Sequence, residues 1–87
     1  MKTQAPRVEL YGSVTCPYTA ELREHLEWQQ QAFVEYDVEA DALAFGRLQE
    51  LTGGSRAVPV LVENGVVTTV GWLGRSCLVG LPRSDHT

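Results

Sequence analysis

Eighty-seven residues are enough for one small domain and no more. A hydrophobic share of 44% against 21% charged residues fits a globular fold rather than a disordered chain. A net charge of −4, with six scattered arginines and Lys2 as the only lysine, offers no basic stripe and argues against nucleic acid as a partner. No apolar run nears the roughly 20 residues that span a bilayer, and residues 1–6 lack the apolar core of a signal peptide. No membrane association is expected, and the expected location is cytoplasmic. Two cysteines in such a reducing compartment read as reactive or inert thiols rather than a structural staple.

Val8 and Leu10 alternate with Glu9 and Tyr11, the period of a strand, up to Gly12. Pro17 opens a helical pattern, since its missing N–H costs nothing in a first turn. Tyr18, Leu22, His25, Leu26 and Gln29 share one face of that helix, and Glu21, Arg23, Glu24 and Glu27 make the solvated side. From Phe33 to Val38 the residues Val34, Tyr36 and Val38 alternate with Glu35, Asp37 and Glu39, the pattern of a half-exposed edge strand. Asp41 is suited to cap a second helix, in which Ala44, Leu48 and Leu51 share a face and which Gly53-Gly54 stops.

Val58 to Val62 reads as a strand with a proline at its start, Asn64-Gly65 as a two-residue hairpin turn, and Val66 to Val70 as the returning strand. Gly71 and Gly74 break it. Ser76 to Leu81 is expected to form a short last helix, ended by Pro82, with residues 82–87 as a polar tail. The chain thus reads as a single domain over residues 1–87, with its core at 7–81 and the order β-α-β-α-β-β-α. A parallel βαβ half and an antiparallel hairpin close most simply as an α/β fold: one mixed four-stranded sheet with helices on its faces.

Chemistry concentrates at Val14-Thr15-Cys16-Pro17-Tyr18-Thr19. A strand before it and a helix after it place the Cys16 thiol at a helix N-terminus, where backbone N–H groups and the helix dipole stabilise a thiolate. A dithiol site would carry a second cysteine three residues on, where Thr19 stands. His25 and His86 lie at no metal-ligand spacing from a cysteine, so no metal is expected. His25 is also about two and a half helical turns beyond Cys16, too far to serve as its base.

Pro59 reads either as a proline tolerated at the start of a strand or as a cis-proline. In the second reading it turns Val58 outward, and the Val58 N–H and C=O pair with an extended peptide-like partner. Trp28 and Trp72 read as packing residues, with Trp72 alternatively lining a substrate groove. Cys77 reads as a buried cysteine on the last helix, or as a resolving thiol for Cys16, which needs Cα atoms within about 7 Å.

Taken together these residues resemble a glutaredoxin. Cys16-Pro17-Tyr18-Thr19 matches the family's Cys-Pro-Tyr-Cys site at three of four positions. Leu51 to Pro59 is similar to its Thr-Gly-Gln-Arg-Thr-Val-Pro segment, and Asn64-Gly65 stands at its hairpin. The Cys-Pro-Tyr-Thr signature also resembles a small bacterial glutaredoxin-like group, some of whose members carry selenocysteine at the first position. The resemblance implies a thioredoxin-like fold with Pro59 in cis facing Cys16, and glutathione as co-substrate. Cys16 would be the nucleophile, Tyr18 would border the glutathione groove, and Val58 would hold the cysteinyl backbone of glutathione. Arg56 stands near the glycine carboxylate end, and Gly71 and Trp72 fall in the last glutathione-binding segment.

Three positions depart from the family pattern. Thr19 replaces the resolving cysteine, and Ser13 replaces a lysine three residues before Cys16. The family's Gly-Gly-Cys-Asp-Asp segment becomes Val70-Gly71-Trp72-Leu73-Gly74-Arg75-Ser76-Cys77. The resemblance implies a monomeric monothiol oxidoreductase that reduces mixed disulfides of glutathione with proteins or small molecules. A dithiol enzyme using Cys16 and Cys77 is the alternative. An iron–sulfur carrier is a third reading, opposed by Pro17 and the missing lysine.

Overall fold

The computed structural model describes residues 7–80. Along the chain run β1 (Val8–Gly12), α1 (Pro17–Trp28), β2 (Val34–Asp37), α2 (Ala42–Thr52), β3 (Ala57–Val58), β4 (Val60–Glu63), β5 (Val66–Val70) and β6 (Cys77–Leu78). Four of the strands form one mixed sheet in the order β2-β1-β4-β5. β1 is parallel to β2 and antiparallel to β4, and β4 and β5 form the hairpin. The turn has the positive φ at both Asn64 (54°) and Gly65 (83°) that a tight two-residue hairpin requires. Asn64 also ties this hairpin to the start of β1. Its side-chain Oδ1 accepts the Arg7 N–H at 2.9 Å, and its own N–H donates to the Arg7 carbonyl at 2.8 Å.

A helix covers each face of the sheet, and all five residues of β1 are buried. Val8 and Leu10 pack with Leu22 and Leu26 of α1 and with Leu61. Tyr11 packs on the opposite side with Ala44, Phe45 and Leu48 of α2 and with Val60 and Val62. Glu9 is therefore a buried carboxylate. Arg7 pairs with it at 3.2 Å, and the Tyr11 hydroxyl donates to it at 3.4 Å. Such pairing is what makes a buried charge tolerable.

The helix boundaries follow the capping residues. The Asp41 carboxylate accepts N–H bonds from Leu43 (3.0 Å) and Ala44 (3.2 Å) at the start of α2, and Gly53 ends that helix at φ 75°. The buried face of α2 is Ala44, Phe45 and Leu48, with Leu51 half-buried beside it. On α1 the buried residues are Thr19, Leu22 and Leu26, so Tyr18 and His25 flank the apolar stripe. Trp28 was expected to pack, but it is the last helical residue and is 86% exposed, beyond the end of the sheet-facing stripe.

Two expectations about the second half are corrected. Pro59 does not open a single strand from Val58 to Val62. It separates β3, which pairs with β6, from β4, which pairs with β1, and the Val58–Pro59 bond is cis. The last helix does not form: Cys77–Leu78 is a strand antiparallel to β3. The physical reason is local. Cys77, Val79 and Gly80 are poor helix formers, the stretch is too short to nucleate a helix on its own, and the β3 backbone needs hydrogen-bond partners that an extended segment supplies. Leu81 and the expected tail 82–87 lie outside the described residues. Among the described residues no helix is long and apolar enough to cross a membrane.

Candidate active site

Cys16 is the N-cap residue of α1, in an extended conformation at φ −95° and ψ 116°, with Pro17 following as the first helical residue. Its carbonyl accepts the N–H groups of Thr19 (3.1 Å) and Ala20 (3.3 Å), so the helix begins at the thiol. The cysteine thus stands at the positive end of the helix dipole, a position that favours a thiolate as nucleophile or leaving group.

The loop before it is held by hydroxyl groups. Ser13 Oγ bonds to Thr15 Oγ1 at 2.9 Å, accepts the Thr15 N–H at 3.1 Å, and donates to the Glu39 carboxylate. The Cys16 N–H closes the turn on the Ser13 carbonyl at 3.1 Å.

Thr19, which stands where a resolving cysteine would be sought, is fully buried. Its Oγ1 accepts the Ser13 N–H at 3.3 Å, pinning the cysteine loop to the first turn of α1. A Cβ on Gly12 would overlap this side chain, with Thr19 Oγ1 at 2.7 Å and its methyl nearer still. Gly12 and Thr19 are therefore a packed pair, and the hydroxyl is part of the scaffold.

The partner of Cys16 is Cys77. The two are joined in a disulfide that spans 61 residues of sequence, with a Cα–Cα distance of 6.0 Å, well inside the reach of such a bond. The route that brings Cys77 there begins at Gly71, whose N–H bonds to the Pro59 carbonyl at 2.7 Å. Gly71 has φ 80°, and a Cβ there would meet the Arg75 carbonyl at 2.7 Å, so only glycine fits. Trp72 and Arg75 then exchange N–H···O bonds of 2.7 and 3.0 Å across a tight turn, and the chain enters β6. The altered segment 70–77 is thus the device that delivers the second cysteine.

β6 lies against the residue before the cis-proline. Cys77 is opposite Val58 and Leu78 is opposite Ala57. The Cys16 sulfur sits 3.9 Å from the Val58 carbonyl oxygen. Cys16, Val58 and Val79 belong to the core cluster on the α2 side of the sheet, with Tyr18 and Cys77 packed against it. Arg75 places its guanidinium 5.7 Å from the centre of the Tyr18 ring, two residues after Cys16, a cation–π contact.

The structure therefore gathers Cys16, Cys77, Tyr18, Val58 and Pro59 at one place. Arg56 is exposed immediately before β3, where its carbonyl accepts the Val79 N–H at 3.0 Å. Gly71 shapes the approach to β6. Trp72 belongs elsewhere: it packs with the α1-side cluster, 4.8 Å from the His25 ring. Sequence reading overlooked Glu39, the anchor of Ser13, and Val79, which is 3% exposed. Glu39 sits in an acidic run that reads as solvated surface. The apolar run Cys77-Leu78-Val79 is too short to stand out as a strand. Among the described residues no three His, Cys, Asp or Glu side chains gather where a metal ion might be held.

Residues 8–68 match the family model described as Glutaredoxin. Among solved structures, a single-residue mutant of a thioredoxin-like protein is 31% identical, with a TM-score of 0.67 over 74% of this chain and 81% of that one. Glutaredoxin 1 from Francisella tularensis, crystallised with cacodylate, is 19% identical, with a TM-score of 0.59 over 76% of this chain and 84% of that one, a likeness of fold. No curated protein matches the chain.

Proposed function

The chain belongs to the glutaredoxin family, and we propose that within it the protein is a thiol–disulfide oxidoreductase whose working pair is Cys16 and Cys77. The observation that carries this reading is the disulfide between the helix-capping cysteine and the cysteine of β6. In the reduced protein the Cys16 thiolate attacks one sulfur of a substrate disulfide. A Cys16–substrate disulfide forms, and the other substrate sulfur leaves and takes up a proton. The Cys77 thiolate then attacks the Cys16 sulfur and expels the second substrate thiol. The substrate gains two electrons and two protons, and the pair becomes the disulfide. Two thiols of an external reductant, such as two glutathione molecules, return it to the dithiol and leave as their own disulfide.

Substrates in this reading are protein or small-molecule disulfides, with glutathione as co-substrate, as is general for the family. The protein works as a monomer in the cytoplasm. A second reading, monothiol reduction of glutathione mixed disulfides through Cys16 alone, is favoured by Thr19 in place of the nearby cysteine.

One set of measurements separates the two: intact mass after mild oxidation, and turnover of a small disulfide by the wild type, Cys16→Ser and Cys77→Ser. The dithiol reading expects a loss of two hydrogens without dimer formation, no turnover by Cys16→Ser, and strongly reduced turnover by Cys77→Ser. Full turnover by Cys77→Ser with glutathione establishes the monothiol reading instead. An inactive wild type overturns both.

A further inference from the structure

The β6 segment pairs along an edge of β3, and it does so with a cysteine. The Arg56–Val79 bond extends the register of β3 and β6 by one pair beyond the strand ends. Bonded pairs alternate along an antiparallel ladder. With Arg56 and Val79 bonded, the next bonded pair is Val58 with Cys77, across which the two backbones exchange N–H and C=O. Cys77 thus docks by backbone opposite Val58 and by sulfur to Cys16.

The side chains of this segment divide sharply. Leu78 points outward and is 73% exposed, whereas Val79 is 3% exposed in the core cluster with Val58 and Cys16. The segment reads as an extended motif, Cys followed two positions on by a small aliphatic anchor.

We propose that Cys77–Val79 is a displaceable internal occupant of a strand-docking edge. Its external competitor is an extended protein segment carrying a disulfide-bonded cysteine, with a small aliphatic residue two positions after it. This rests on the thiol–disulfide reading above. When Cys16–Cys77 is reduced, β6 keeps only its two-residue ladder, the Arg56–Val79 bond and the packing of Val79, and a strand that short is marginal by itself. The competing segment takes its place along Arg56–Val58, by strand addition.

The Cys16 thiolate attacks the sulfur lying opposite Val58. The new Cys16–substrate bond forms, and the substrate's other sulfur departs as a thiol. Return of β6 to the edge displaces the segment and brings the Cys77 thiolate onto the Cys16 sulfur. The Cys16–substrate bond breaks, the second substrate thiol leaves, and Cys16–Cys77 re-forms, so product release and disulfide closure are one strand exchange. Glutathione fits this edge less well. It has a single residue after its cysteine, so it reaches neither the Arg56 carbonyl nor the place of Val79.

The test uses full-length Cys77→Ser, in which Cys16 is the only thiol. It is equilibrated with the disulfide forms of four probes, and the mixed disulfides are quantified by intact mass. The probes are a blocked peptide of the chain's own sequence 76–80, the same peptide with aspartate in place of its valine, the same peptide N-methylated at its cysteine, and glutathione. The native-sequence peptide is expected to be preferred over each of the others by about tenfold or more, the scale set by burying one aliphatic side chain or satisfying one backbone bond. Equal exchange with all four probes overturns the docking edge and leaves the thiol chemistry standing. Absence of exchange at Cys16 with every probe overturns the function on which the inference rests. In a second measurement on otherwise wild-type protein, Val79→Ala is expected to raise the rate at which the reduced form is alkylated at Cys16. An unchanged rate counts against displacement.

Discussion

Reducing the Cys16–Cys77 bond opens a loop that spans 61 residues, most of the described chain. Closing a loop of that length restricts the unfolded chain by about 4 kcal/mol near room temperature on the chain-entropy relation. For a domain of this size each kcal/mol moves the midpoint of thermal unfolding by about 4–8 °C. The reduced protein is therefore expected to melt roughly 15–30 °C below the oxidised one. Cys77→Ser is expected to coincide with reduced wild type within about 1 kcal/mol, because Cys77 is only half-buried and a hydroxyl is tolerated there. Guanidinium unfolding of the three forms at one pH measures the differences. The slope against denaturant is expected to be larger for the two open-loop forms, whose unfolded chains expose more surface. A gap under about 1 kcal/mol between oxidised and reduced protein refutes the reasoning, since a closed loop of this length restricts the unfolded chain by several times that.

Thr19→Val keeps the shape of the side chain but leaves the buried Ser13 N–H without its acceptor. A loss of about 1–2 kcal/mol in denaturant unfolding is expected, with faster alkylation of Cys16 in the reduced protein as the loop loosens. Gly12→Ala drives a methyl into Thr19 and is expected to cost about 1–3 kcal/mol. A double-mutant cycle with Thr19→Ala is expected to recover most of that cost, and additive losses would disprove the contact. Burial of Tyr11 raises its pKa above 10.0, against the opposing hydrogen bond from Arg47. The folded protein thus holds that proton more tightly than the unfolded chain. The corresponding stability is fully present below pH 10.0 and is lost as the pH rises through the folded-state value. Tyr11→Phe is expected to flatten this alkaline fall in stability, and an unchanged fall would place its origin elsewhere.

Much of the molecule was legible from local pattern. Alternation located β1 and β2. Pro17, Asp41 and Gly53 marked helix ends through rules that depend on a few neighbouring residues. Asn64-Gly65 named its own turn because few residue pairs accept two consecutive positive φ values. The thiol at the start of α1 was visible for the same reason: strand, Cys-Pro and helix are contiguous. Ser76 to Leu81 reads as a helix because nothing local says that an edge of β3 is waiting for Cys77–Leu78.

The partner of Cys16 was undecidable at that level, since Thr19 closes the near route and Cys77 is 61 residues away. The sequence by itself determined β1, α1, β2, α2 and the β4–β5 hairpin, and placed Cys16 at the cap of α1, all set by neighbours within a few positions. Only the tertiary structure decided that the Gly71–Arg75 turn folds back across Pro59, that β6 lies on β3, and that two distant thiols meet at a Cα–Cα distance of 6.0 Å. Those outcomes depend on strand pairing and on the core that buries Val58, Val79 and Cys16 together. Non-local pairing is chosen by the whole fold competing for unpaired backbone and apolar surface, and no short stretch of residues encodes it.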